Sequence, residues 1–452
     1  MSNIADALRH IKGNLTHVLP PSLPDKICHA LGQSYRHRTL PPAVTTYLFL
    51  QQILHGNPAC NELRHLSKID FTDSAYCQAR GRLTVGYFHV LMRAVTGRCY
   101  GHDDFDLDPR TRWKGHRLFL IDGSTFSMPD TPPLRQTFGQ PDAQAPGCGF
   151  PVAHLLVLFD AYHGYLLRAI PAPYRTHDMA QATLTHQALR PGDVLVGDRA
   201  FCSFAHLALC RQGGLHGVFR AHQRQIIDFR PRRPHAQPGE KTPVGMPRSR
   251  WLKRLGKHDQ VVEYTKPAKR PTWMTAKDYD ALPGTVTVRE VRIHVRQRGC
   301  RVEQVTLVST LRDARRYPKG ALAQLYARRW QVETDLRHLK HTLGLDVLRC
   351  QTVPGVVKEL EMFVIAYNLV RRVMVQASRR QGVAPDRISF VDALRWLRHA
   401  KPGEQLPRLI INPERPGRME PRVKKRRGKP YKLLTKPREK LREAFLGPKK
   451  AA

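Results

Sequence analysis

The sequence predicts a mixed α/β fold that carries a β-rich insertion, with helical regions at both ends. Three observations predict it. Short continuous apolar runs at Leu118–Ile121, Val152–Phe159 and Val194–Val196 alternate with helical patterns, as buried strands do in such a sheet. Apolar residues recur at helical spacing in the N-terminal stretch, through Tyr47, Leu48, Leu50, Ile53 and Leu54 and again through Phe88, Leu91, Met92 and Val95. Further on, Thr285 to Val295 reads TVTVREVRIHV, the alternation of a half-exposed strand.

Taken in order, residues 1 to about 100 read as a compact helical domain punctuated by Pro20, Pro21, Pro24, Pro41, Pro42 and Pro58. Within it, SAYCQARGRL at Ser74 to Leu83 places Arg80 and Arg82 near a helix start, to meet phosphate or to be solvated. The run Leu118–Ile121 ends in Asp122-Gly123-Ser124, a buried strand delivering a carboxylate where the chain turns. Val152–Phe159 finds a hairpin partner in Tyr165–Ile170, a helix follows from about Asp178 to Leu189, and Val194–Val196 ends in Gly197-Asp198-Arg199. Two central strands thus each end in an aspartate.

A helix at Ala205 to Arg211 precedes an Arg- and Pro-rich stretch, Gln223 to Lys257, that shows no clear period. The strand Thr285–Val295 then has Arg289, Arg292 and the flanking Arg296 and Arg298 available on its surface. Trp251 and Trp273 lie in the same basic surroundings, either packed in a core or placed to stack on an unpaired base. Val305–Thr310 restores an apolar strand, Leu322 opens a helix that runs past Lys340, and Val357–Val375 and Phe390–His399 carry further helical patterns. From Arg418 to Lys450 the tail holds 14 Lys or Arg against three Asp or Glu, a solvated segment that also offers nonspecific phosphate contacts.

A chain of 452 residues exceeds the usual size of one core, so two or three domains are expected, and 41% apolar content suffices to build them. The formal charge of +38 makes the compact state repel itself unless polyanions screen it, which puts nucleic acid first among partners. A membrane surface would attract such a chain too, but no apolar run approaches the length of a span. The start, MSNIADALRHIKGNL, has neither a secretory core nor a transit pattern, and the protein reads as intracellular. The nine cysteines are scattered singly and read as reduced structural thiols. Among 22 histidines, His338 and His341 make the one tempting pair; their basic neighbours would repel a metal, so none is assigned to them.

The helical segment YARRWQVETDLRHLK, Tyr326 to Lys340, concentrates the chemistry. At about 100° per residue, Tyr326, Arg329, Glu333 and Lys340 fall within an arc of roughly 60°. Leu322, Leu325, Leu336 and Leu343 form an apolar stripe beside that face, so burial along one side would hold the carboxylate rigidly. Asp122, Asp198 and Glu333, brought together, would repel one another unless a cation neutralised them. Their hard oxygens select Mg2+ or Mn2+, and two such ions about 4 Å apart catalyse in-line displacement at phosphorus. Taken singly, Asp122 and Asp198 also read as ordinary turn or capping residues.

These residues carry a resemblance. YARRWQVETDLRHLK, continuing as TLGLDVLRC, has the Tyr-x2-Arg-x3-Glu-x6-Lys spacing of the cut-and-paste DDE transposases of insertion sequence family four. LFLIDGST and VLVGDRAF resemble that family's two Asp motifs, and SAYCQARGRL and AYNLVRR, Ala366 to Arg372, resemble its flanking regions, so coverage runs from about residue 70 to 380. The resemblance implies an RNase H-like catalytic core split before its last strand and helix by the β-rich insertion. It implies that Asp122, Asp198 and Glu333 are the catalytic carboxylates and ligate two Mg2+ or Mn2+ ions. Tyr326, Arg329 and Lys340 would contact DNA phosphates near the element's end, holding a distorted strand, and Arg199 would contact DNA or brace the site. A Trp of the insertion traps a flipped base in relatives, but neither Trp251 nor Trp273 aligns to it securely.

The domain division expected is a helical N-terminal DNA-binding domain at 1–110, the core at 111–204 and 305–380, the insertion at 205–304, and a helical region with basic tail at 381–452. The expected function is binding of double-stranded DNA at terminal inverted repeats, cleavage, and strand transfer into target DNA. Synapsis of two ends implies a homodimer during reaction, in the bacterial cytoplasm and associated with the nucleoid. An RNase H-like nuclease that hydrolyses without joining, and a domesticated DNA-binding protein without chemistry, are the alternatives.

Overall fold

The computed structural model describes residues 18–35, 38–67, 69–101, 111–141, 145, 147–232, 242–295, 303–399, 404–414 and 436–446. The expectations for residues 1–17, Arg296, Arg298, Cys300 and most of the basic tail lie outside the described residues. Among those described, β1 (Leu118–Ser127), β2 (Val152–Asp160), β3 (Leu166–Pro173), β4 (Val194–Gly197), β5 (His216–Arg220), β6 (Arg248–Gly256), β7 (Asp259–Thr265), β8 (Thr285–Val295) and β9 (Glu303–Ser309) form one sheet. Its order is β3-β2-β1-β4-β5-β9-β8-β7-β6. β4 runs parallel to β1 and to β5, and every other neighbouring pair is antiparallel. The architecture is mixed α/β, and β5 to β9 extend the same sheet that β1 to β4 begin.

Helices precede the sheet as α1 (Leu23–Ala30), α2 (Pro42–Leu54), α3 (Cys60–Leu66), α4 (Asp73–Arg82) and α5 (Val85–Gly101). α6 (Pro132–Phe138), α7 (Asp178–Thr185), α8 (Phe204–Gln212) and α9 (Ala276–Asp280) interrupt it. α10 (Lys319–Ala327), α11 (Trp330–Arg337), α12 (Val353–Gln381), α13 (Phe390–His399) and α14 (Arg438–Leu446) follow. No helix among the described residues is long and apolar enough to cross a membrane.

Both faces of the central strands are covered, which is why β1, β2 and β4 read as unbroken apolar runs rather than alternating ones. Leu118, Leu120, Leu155, Val157, Val194 and Val196 join the core built around α2, α5 and α12. Phe119, Ile121, Leu156, Leu158 and Leu195 join the second core, under α7 and α8. α12 is 29 residues long, begins at a Thr352 side-chain cap and ends at Gly382 in the left-handed conformation. Midway along it, the buried Arg371 bonds the carbonyl of His163 and lies 3.4 Å from Asp335 of α11. Gly164, at φ +72°, packs directly on that guanidinium, so any side chain there would collide with it.

Four sequence expectations change. β1 does not turn at Asp122-Gly123-Ser124 but continues to Ser127, because the ladder to β2 runs on from Asp122↔Val157 to Ser127↔Val152. Arg80 and Arg82 end α4 rather than start it. Arg80 is not solvated: its guanidinium lies 3.7 Å from the Phe49 ring centroid and donates to Gln52 and Cys350 Sγ. Arg289 is fully buried, not on the strand surface, because Asp259 receives its guanidinium in a two-pronged ion pair at 2.7 and 2.5 Å. The unperiodic stretch contains β6, whose exposed Arg248, Arg250, Lys253 and Arg254 mask any apolar alternation at the sheet edge.

Glu290 of β8 is wholly buried and receives hydrogen bonds from Tyr264 Oη at 2.7 Å and Gln260 Nε2 at 2.8 Å. Burial raises its pKa from 4.5 to about 7, against the pull of those two bonds. The folded chain therefore holds a proton that unfolded glutamate releases between pH 4.5 and about 7, so this residue makes stability fall as pH rises through that window. Glu290→Gln is expected to flatten the slope and add on the order of 1–3 kcal/mol above the window. Melting temperatures of both proteins on each side of it are the check.

Candidate active site

β1 and β4 are adjacent and parallel, with Leu118 opposite Val194 and Leu120 opposite Val196. The ladder ends at Leu120↔Val196; carried two residues beyond it, past the end of β4, the same alternation sets Asp122 and Asp198 side by side on the face that Leu120 and Val196 present to the α12 side, close enough for the Asp198 charge to act on Asp122. Burial relaxes here: β1 is buried through Ile121 and half-buried from Asp122 to Thr125. Asp198 follows β4 directly and accepts the Arg199 amide at 2.5 Å, capping a 3-10 turn, Arg199–Phe201. Both aspartates do use the capping chemistry of ordinary turn residues, since Asp122 accepts the Gly123 amide at 2.9 Å.

The helix expected from Leu322 past Lys340 is not continuous. α10 ends at Ala327, and bonds from Arg328 N to Leu325 O, Arg329 N to Tyr326 O and Gln331 N to Arg328 O tighten the chain into 3-10 geometry before α11 begins. After Arg337 the helix widens into a π turn, His338–Thr342. Val332, Leu336 and Leu339 seat this segment in the core against the Asp122 face of β1.

That seating brings the polar row to the aspartates. Arg329, only 14% exposed at its side chain, lies 3.9 Å from Asp122 Oδ2 and 3.1 Å from Glu333 Oε1. Glu333 is the exposed member, at 44%, so its carboxylate is held by Arg329 and not by burial as expected. Lys340, carried by the π turn, donates to Ser124 Oγ at 3.2 Å, two residues beyond Asp122 on the same face of β1. Tyr326 is buried in the core, with Arg329 Cζ 6.0 Å from its ring centroid. Arg199 donates to Gln223 Oε1 at 2.8 Å.

The electrostatics reflect this crowding. Burial raises the Asp122 carboxyl to about 6; the Gly123 amide and Arg329 pull it down, while the charges of Asp198 and Glu333 push it further up. Arg329 is raised, because Tyr326, Asp122, Glu333 and Asp198 together outweigh the burial that opposes its charge. A guanidinium therefore stands where the three carboxylates need a cation.

Hard oxygen donors with excess negative charge fit Mg2+ or Mn2+ in type. Among the described residues the three carboxylates do not close into one group with ligand atoms within 4.8 Å of each other. Arg329 contacts both Asp122 and Glu333, and Glu333 is the carboxylate with the exposure and side-chain length to move.

On the reverse side of the same strand lie groups that leave no mark in the sequence. His154 Nε2 of β2 lies 2.6 Å from Asp178 Oδ1 at the start of α7. A Cβ on Gly123 would meet that oxygen at 2.5 Å and the imidazole at 3.2 Å, so the residue after Asp122 is glycine because this pair leans on it. Ser124 was visible only as part of a turn.

A mixed sheet that sets two aspartates side by side, with a glutamate delivered by a following helix, defines a class of phosphoryl-transfer enzymes by its chemistry. Residues 113–369 match the family described as Transposase DDE domain. The chain belongs to that family: it is an enzyme of DNA cleavage and strand transfer, of the insertion sequence family four type, and its reaction belongs to DNA transposition. DDE transposases depend on divalent metal and act on DNA.

It is 28% identical over a 467-residue alignment to the transposase InsG for insertion sequence element IS4 of Escherichia coli strain K12, covering 96% of each chain. It is 30% identical over 142 residues to the putative transposase InsZ of the same strain, covering 31% of this chain and 46% of that one. A solved piggyBac transposase synaptic complex with hairpin DNA is similar at a TM-score of 0.42 and 12% identity, covering 88% of this chain and 80% of that one.

Proposed function

We propose that this transposase binds the terminal inverted repeats of its own insertion sequence, cuts the element out and joins it to target DNA, with two Mg2+ or Mn2+ ions held by Asp122, Asp198 and Glu333. The observation that carries the reading is Arg329 standing between Asp122 and Glu333, beside a strand register that sets Asp198 level with Asp122. Ions held by these three carboxylates would supply activation of the attacking water or hydroxyl and stabilisation of the leaving oxygen. The chain's own residues do the rest. Arg329, which contacts Asp122 and Glu333 here, would be free to hold a DNA phosphate once those carboxylates were neutralised. Lys340 leaves Ser124 for a neighbouring phosphate, Tyr326 backs the Arg329 guanidinium, and Arg199 meets the backbone on the flank of the site. Asp122, buried more deeply than Glu333, orients the set.

The β3-β2-β1-β4-β5 order, with both aspartate strands central and parallel, supports an RNase H-like core. On that basis we divide the chain as a DNA-binding helical domain at 1–110, core segments at 111–204 and 305–380, an insertion at 205–304, and a helical, basic C-terminal region at 381–452. The exposed cations of β6 fit a role for the insertion in holding DNA. Pairing of two element ends calls for a homodimer in the synaptic complex, working on nucleoid DNA in the cytoplasm.

The test is a duplex carrying the element's two ends, incubated with full-length protein and Mg2+. Joined products are expected; free hydrolysed ends alone would mean a nuclease, and intact DNA a silent binding protein. Lys340→Ala is expected to lower the slope of log affinity against log salt by roughly one phosphate's worth, about 0.9. Filter binding over a salt series measures it, and an unchanged slope removes Lys340 from the contact.

A further inference from the structure

His186, His206 and Cys210 belong to none of the chemistry above. Their ligand atoms lie within 4.8 Å of one another, a grouping no other His, Cys, Asp or Glu trio among the described residues makes. His186 opens the 3-10 turn that follows α7, while His206 and Cys210 sit one turn apart on α8. The two imidazoles face each other Nε2 to Nε2 at 3.0 Å, and Cys210 Sγ is 3.9 Å from His186 Nε2. A tetrahedral zinc with Zn–N and Zn–S bonds of ordinary length separates its ligands by about 3.3 Å (N to N) and about 3.6 Å (N to S).

The groups behind the ligands fit as well. His206 Nδ1 donates to the Phe201 carbonyl at 2.7 Å, which fixes the tautomer and leaves Nε2 with its lone pair toward His186. This is the orientation a metal-bound imidazole adopts, and it makes the metal-free contact depend on a proton at His186 Nε2. His206 and Cys210 are buried, whereas His186 is only partly buried and gives the approach from solvent.

We propose that His186, His206 and Cys210 form a structural site for a borderline divalent ion, Zn2+, with solvent in the fourth position. Binding moves the His186 proton from Nε2 to Nδ1 and releases the Cys210 thiol proton to solvent, leaving two neutral imidazoles and one thiolate on the ion. Two nitrogens and a sulfur disfavour Mg2+ and Mn2+, so this site and the carboxylate site select different metals. Its place gives it a purpose. The ion ties the end of α7 to α8, and through His206 it anchors the carbonyl of Phe201 at the end of the short turn that Asp198 caps.

The test replaces the metal in the full-length protein with Co2+ and reads its absorption. A thiolate-to-cobalt charge-transfer band with tetrahedral d–d bands is expected, together with a higher melting temperature than the metal-free chain. Oxygen-only binding at the carboxylates yields no such band. Cys210→Ala is expected to lose the band, and His186→Asn, at the least buried of the three ligands, to weaken cobalt affinity at least tenfold while the chain stays folded. X-ray absorption on the unmutated zinc-loaded protein, expected to show one sulfur and two imidazoles, decides the matter if Cys210→Ala does not fold. Absence of the band in the unmutated chain, its persistence in folded Cys210→Ala, or a zinc shell without sulfur would overturn the proposal.

Discussion

Glu333→Ala is expected to retain binding to DNA carrying the element's ends while losing cleavage by on the order of a thousandfold or more. The two readouts separate because Glu333 touches Arg329 and, in the proposed site, the ions, but not the scaffold. Its side chain is 44% exposed, and the apolar residues that hold α11, Val332 and Leu336, remain. Removing the carboxylate frees Arg329, 3.1 Å away, for phosphate, so affinity should hold or rise slightly. Gel-shift and cleavage assays on the same preparation measure both. Cleavage at the unmutated rate would remove Glu333 from the catalytic set.

Asp122→Asn should abolish cleavage to a similar extent and, without metal, stabilise the fold. The sign follows from the site itself. Burial, with Asp198 and Glu333 adding to it, lifts the Asp122 carboxyl from 3.8 to about 6, so its ionised form is held at a cost that the amide does not bear. A carboxyl raised that far sets an upper scale of roughly 3 kcal/mol, and the partial exposure of the side chain brings the expected gain to about 1–2 kcal/mol. Asparagine keeps the bond from the Gly123 amide. Denaturant unfolding at neutral pH in a chelator reads the change, and a less stable variant would mean that Arg329 already neutralises Asp122 in full.

Much of the site was legible because strands covered on both faces leave a plain mark. Leu118–Ile121 and Val194–Val196 announced themselves as continuous apolar runs, and the aspartates beyond them stood out as the first polar positions. What lies between distant segments was not legible. Nothing local in LFLIDGST shows that β1 continues through Asp-Gly-Ser, since the partner that keeps it extended, β2, lies some thirty positions on. The break at Arg328-Arg329 contains neither proline nor glycine, so the helical count overran it. Arg289 read as a surface cation because its counter-charge, Asp259, belongs to a different strand. The His186, His206 and Cys210 cluster was hidden for the same reason: cysteine spacing reveals paired cysteines, and the signal available was His206 and Cys210 at a one-turn spacing. Family resemblance supplied roles that spacing alone left open.

In the proposed reaction, three carboxylates of this chain assemble around divalent ions on DNA. Electron paramagnetic resonance counting of Mn2+ on the full-length protein bound to a duplex element end tests it most directly, since Mn2+ prefers oxygen donors over the His and Cys cluster. Two tightly held ions per site are expected, falling in both Asp198→Ala and Glu333→Ala. An unmutated complex that holds no tight Mn2+, or variants that hold as much as the unmutated chain, would exclude a metal site built from these carboxylates.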